Sequence, residues 1–119
     1  MTIEEIRSCC LALPGVTEDI KWEDHLCFNV GGKMFLVTAP DNFPVSASFK
    51  ASDADFEELQ EREGFIPAPY MARYKWIFVD DLERMTKEEW ARTINISYNL
   101  VFEKLSGKAR KAITQNHSM

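Results

Sequence analysis

No run of this 119-residue chain stays apolar for the ~20 residues that a helix needs to cross a bilayer, so a membrane span is not expected. Cysteine is scarce. Cys9, Cys10 and Cys27 fall in no metal-ligand spacing, and an odd count argues against a disulfide framework. They read as small core or boundary residues, with Cys9 and Cys10 facing different sides of a helix. An excess of cations is missing too. The formal net charge is −5, which weighs against a protein that holds phosphates mainly by charge, yet leaves room for a local basic patch. The start, Met1-Thr2-Ile3-Glu4-Glu5, lacks the basic and apolar pattern of an export signal, so a cytoplasmic location is expected.

The residue types of chemistry are present without its spacings. Asp24-His25 with Ser46 or Ser48 has a hydrolase triad's composition, but there is no Gly-x-Ser-x-Gly elbow. Glu18, Asp19, Glu23, Asp24 and His25 match no metal loop and read as a solvated acidic connection. Gly31-Gly32 lacks the following helix of a phosphate loop, and His117 lies in the expected tail. No catalytic residue, metal or cofactor is therefore expected, and the chain reads as non-enzymatic.

What is present is a pattern of elements. The chain is a single-domain length, and folding at this size buries roughly two-thirds of the unfolded surface without a covalent staple. Thr2, Ser52 and Thr86 each precede a carboxylate by three residues (Glu5, Asp55 and Glu89), the spacing of a helix capping box. Helices follow over about Ile3 to Leu13, Asp53 to Glu63 and Lys87 to Ser106, the last with an apolar ridge of Trp90, Ile94, Tyr98, Val101 and Leu105. Gly107 fits the position after that helix, so residues 1–107 form the domain and 108–119 a basic, frayed tail.

Leu26 to Val30 and Lys33 to Val37 read as a hairpin about Gly31-Gly32, since both glycines can take the positive φ of a tight turn. That register pairs Phe28 with Phe35 and Leu26 with Val37 on one face, leaving Cys27, Asn29, Met34 and Leu36 on the other. Val45 to Lys50 and Tyr74 to Val79 are further strands, with room for a short extra one at Ile20-Lys21-Trp22. The order α-β-β-β-α-β-α gives an α+β fold: an antiparallel sheet with helices packed on one face and the other face wet. The helices should cover Phe28, Phe35, Val45 and Phe49, with Asn29, Ser46 and Ser48 outward. In the last strand either Trp76 and Phe78 or Ile77 and Val79 face the open side.

One stretch carries more than folding asks for. Pro67 and Pro69 interrupt regular structure before Tyr70, and Tyr70, Arg73, Tyr74, Lys75 and Trp76 then set stacking rings beside cations.

The chain resembles the MmcQ/YjbR family of small bacterial proteins from the first helix to Leu105. The residues that carry the resemblance are Leu13-Pro14-Gly15-Val16-Thr17-Glu18, Phe28 to Phe35 across the hairpin, Pro69-Tyr70-Met71, Lys75-Trp76 and Ser97 to Val101. It implies a CyaY-like two-layer sandwich and DNA binding through wing-like elements. It offers no shared catalytic residues. Candidate contacts are then Lys33, Lys50, Tyr70, Arg73, Tyr74, Lys75 and Trp76, with the cations from Lys108 to Lys111 behind them. Some CyaY-like proteins handle iron through an acidic first helix, which here offers only Glu4 and Glu5. The rival expectation is a protein-interaction or small-ligand module that uses the open sheet face.

Overall fold

A computed structural model describes residues 1–117. Two of the three capping boxes close in full. Thr2 Oγ1 accepts from the Glu5 amide at 3.2 Å while Glu5 returns to the Thr2 amide at 3.0 Å, opening helix α1 (Ile3–Leu11). Thr86 and Glu89 do the same for α3 (Lys87–Glu103). For α2 (Asp53–Leu59) only the Ser52 hydroxyl half forms, because Asp55, one methylene shorter than Glu, pairs with Arg92 instead.

Six strands make one antiparallel sheet: β1 (Val16–Lys21), β2 (His25–Val30), β3 (Lys33–Ala39), β4 (Ser46–Lys50), β5 (Phe65–Pro67) and β6 (Trp76–Val79), ordered β1-β2-β3-β4-β6-β5. With α1, α2 and α3 on one face, the fold is α+β. The helix-side core follows two cross-strand rows. Phe28, Leu36, Phe49 and Ile77 form one, and Leu26, Thr38, Ala47, Val79 and Phe65 the other. The ridge of α3 from Trp90 to Leu105 buries against them.

The hairpin register holds near the turn and then changes. Val30 pairs with Lys33 and Asn29 with Met34, but beyond a bulge Phe28 pairs with Leu36 and Cys27 with Val37. The extra residue is Phe35. A bulge sets two residues against one, so both Phe35 and Leu36 reach the helices and Val37 turns to the far side. The expected faces of Leu36 and Val37 are thus exchanged. Asn29 is on the far face as expected but buried, donating to Asp19 at 3.0 Å, and Ser46 is buried as well.

The far face is wet only in part. Residues 68–75, between β5 and β6, fold back so that Ala68 and Met71 pack with Trp76, Cys27 and Val37 into a second apolar cluster. Strand β5 itself escaped the sequence reading: Pro67 ends an edge strand, where a missing amide costs no ladder bond. The last strand starts at Trp76, not Tyr74, and sends Ile77 and Val79 to the helices. The extra strand runs over Val16–Lys21, well before Ile20. The tail expected to fray is helical instead, forming α4 (Gly107–His117), and Ala109 and Ile113 pack on the core. Ser118 and Met119 lie outside the described residues.

Candidate functional site

Three strand termini meet at one end of the sheet. Strand β3 begins at Lys33, β4 ends at Lys50 and β6 begins at Trp76. The last turn of α3 closes over the same end, where Leu105 lies so close to Gly31 that a Cβ there would come within 2.6 Å of it. A groove of about 460 Å³ opens between these elements. Its floor is apolar, made by Met34, Met71, Trp76, Val101 and Leu105, and Lys33, Lys50 and Lys104 stand around it with Tyr74.

Each cation is placed by a different constraint. Lys33 follows the tight turn. The Lys50 backbone is anchored because its amide donates to Ser97 Oγ at 3.0 Å, and that hydroxyl donates to the Phe35 carbonyl at the bulge at 2.5 Å. Its ammonium donates to the Tyr74 carbonyl at 2.6 Å. Burial holds the Lys50 ammonium below its ordinary pKa, the charge of Lys104 pushes it the same way, and Asp53 opposes both. Lys104 lies between Val101 and Leu105 of the buried ridge, which carries it to the groove.

The stretch from Tyr70 to Trp76 divides. Trp76 is only 4% exposed and forms part of the floor, while Tyr74, 51% exposed, stands at the rim. The Arg73 guanidinium lies 4.9 Å from the centre of the Tyr74 ring and donates to its phenol oxygen at 2.7 Å. Tyr70 is fully exposed. Lys75 takes a left-handed conformation at φ 64° that turns the chain into β6, and its ammonium sits 4.9 Å from the centre of the Phe56 ring. Of the seven candidates, Lys33, Lys50, Tyr74 and Trp76 line the groove together, and Lys75 points to α2 instead. Lys104 was missed. Its signal was its place beside the ridge, legible only once the helix was known to end over the hairpin turn.

Ion pairing sorts the cations. Arg7, Lys21, Arg62, Arg84, Lys87 and Arg92 all have carboxylate partners. Among the described residues no ion pair involves Lys33, Lys50, Arg73, Lys75, Lys104, Lys108, Arg110 or Lys111. These eight come from the hairpin turn, the end of β4, the loop before β6, and the α3–α4 junction. Helix α4 crosses the same end, since its Ile113 packs against Gly15 just before β1. The loops at the other end carry Glu23, Asp24, Asp41, Asp80, Asp81 and Glu83.

The other candidate chemistry is dispersed. Glu18 is held by Arg7 at 2.6 Å and Asp19 by Lys21 and Asn29, and Asp24 accepts from His25 Nδ1 at 2.7 Å. Ser46 and Ser48 line a separate cavity of about 120 Å³ beside His25 and Phe78, and neither shares a hydrogen bond with the imidazole. Burial pushes the Cys10 and Cys27 thiols up, away from the reactive thiolate. Among the described residues no three His, Cys, Asp or Glu side chains gather as metal ligands, and no helix is long and apolar enough to cross a membrane.

A protein-family model described as YjbR matches residues 11–100. Among solved structures, the crystal structure of a Deinococcus radiodurans protein with a DUF419 domain is similar, with a TM-score of 0.84 at 26% identity over 94% of this chain and 87% of that one. No curated protein sequence matches the chain.

Proposed function

The chain belongs to the YjbR family, and from that premise we propose that it is a non-enzymatic nucleic-acid binder whose contact surface is the basic end. The observation that carries this reading is the convergence of Lys33, Lys50 and Lys104, from two strands and the end of α3, on one groove, none of them in an ion pair among the described residues. Phosphate binding releases condensed counterions, and cations that are not already paired do so without first breaking an internal ion pair. Lys108, Arg110 and Lys111 extend the same surface along α4. The rival reading, a protein- or ligand-docking module on the open sheet face, loses part of its surface, because Trp76, Cys27 and Val37 are covered by Ala68 and Met71.

Anisotropy titration of a labelled DNA duplex at rising salt tests the proposal. The expected plot of log affinity against log salt is linear, and replacing Lys33, Lys50 and Lys104 by Gln should flatten its slope by about three. Lys87→Gln, at the far end of α3, should leave the slope unchanged. Absence of binding to any nucleic acid at low salt would refute the reading.

A further inference from the structure

The groove's floor asks for something that a duplex backbone does not offer. Phosphates and sugars present charge and hydroxyls, whereas paired bases keep their faces stacked inside the helix. The floor here is methionine, valine and leucine side chains over the nearly buried Trp76 indole, and its cations stand around the rim. A volume of about 460 Å³ falls within the roughly 300–1,000 Å³ range of pockets that enclose small molecules. Tyr74 is held at the rim by two contacts from Arg73, so its ring is oriented before any ligand arrives. Lys50 spends one of an ammonium's three donors on the Tyr74 carbonyl and keeps two for an anion. Aromatic surface beside unpaired lysines is the chemistry of an unstacked base with its own phosphate.

We propose that this groove takes one unpaired nucleotide of a single strand, the base against the Tyr74 ring and the apolar floor and the phosphate among Lys33, Lys50 and Lys104. The proposal rests on the nucleic-acid reading above and narrows it: the preferred ligand is single-stranded.

A labelled oligothymidine of roughly a dozen nucleotides, about the span that such proteins occupy, is titrated beside a duplex with the same number of phosphates. The single strand should bind about tenfold tighter, the order that one stacked base contributes. Tyr74→Ala should remove most of that preference, and Tyr74→Phe should restore it. Lys50→Gln should weaken both ligands. Adenosine monophosphate should compete only at far higher concentration than the oligonucleotide. A duplex that binds as tightly as the strand overturns the inference while the nucleic-acid reading stands. If neither binds, both fall. Free nucleotide that competes as well as the strand overturns the strand and leaves a mononucleotide site.

Discussion

Replacing Ser97 by alanine removes one oxygen and strands two backbone groups. The hydroxyl donates to the Phe35 carbonyl at 2.5 Å and accepts from the Lys50 amide at 3.0 Å, and Ser97 is wholly buried between α3 and the sheet. Water cannot replace either bond without opening that interface. A buried donor or acceptor left unpaired costs about 1–3 kcal/mol, so the two together should cost about 3 kcal/mol, less the small gain in helix propensity from alanine. At a urea slope near 1.5 kcal/mol/M, the unfolding midpoint should fall by about 2 M. Asn99→Ala, exposed on the same helix, should stay within about 0.5 kcal/mol of the parent. Equilibrium unfolding followed by circular dichroism measures both. A loss below about 0.5 kcal/mol for Ser97→Ala would show that the bulge carbonyl and the Lys50 amide find other partners, and that Ser97 does not fix Lys50 at the groove.

Two further outcomes are expected. Gly31 and Gly32 both have positive φ, so alanine at either costs about 1 kcal/mol of backbone strain. Only Gly31→Ala also drives a Cβ within 2.6 Å of buried Leu105, which should raise its cost to about 3 kcal/mol; equal unfolding midpoints for the two variants would contradict the packing described. In acid, Glu5 is held at a pKa of about 2, first by the Thr2 amide and then by Lys87, and Glu89 is lowered by the Thr86 amide and Arg62. Because both pKa values are depressed in the fold, their contribution is present above the ordinary 4.5 and is lost as pH falls from there toward 2. Glu5→Gln with Glu89→Gln should flatten urea midpoints across that window, and an unchanged pH slope would count against it.

The helices were legible because their signals are local. Thr2 with Glu5, Thr86 with Glu89 and the Trp90 to Leu105 ridge need no knowledge of the rest of the chain. The Gly31-Gly32 turn was legible for the same reason. What escaped depends on distant partners. The bulge at Phe35 is held by Ser97, far along the chain, whose hydroxyl donates to the displaced Phe35 carbonyl, and alternation alone gives no sign of it. The fold-back of residues 68–75 hides Trp76 under Met71, so a tryptophan that read as surplus serves as a floor. Helix α4 was read as a tail because its moderate apolar content, Ala109 and Ile113, finds a core only where α3 delivers it. Among the candidate contacts, the sequence named the cation of each strand end but could not say that Lys104 would join them.

Net charge was the strongest reason to doubt a polyanion ligand, and the fold changes what that number means. A total of −5 would repel phosphate if the charges were mixed evenly over the surface. They are not. Glu5, Glu89 and Asp55 near the helix starts are tied up with Lys87, Arg62 and Arg92, while residues 104–119 hold four cations and no Asp or Glu. At physiological salt, exposed charges more than about 8 Å apart are largely screened from one another. Acidic loops at the other end of the sheet, a strand length of about 20 Å away, therefore act weakly on an anion in the groove. They act on orientation instead. A polyanion, if bound as proposed, would meet repulsion at the Glu23–Asp24 and Asp80–Asp81 end and attraction at the Lys33 end, which would turn the basic end toward it before contact. An acidic total is thus compatible with a polyanion ligand, provided the contact is confined to one end.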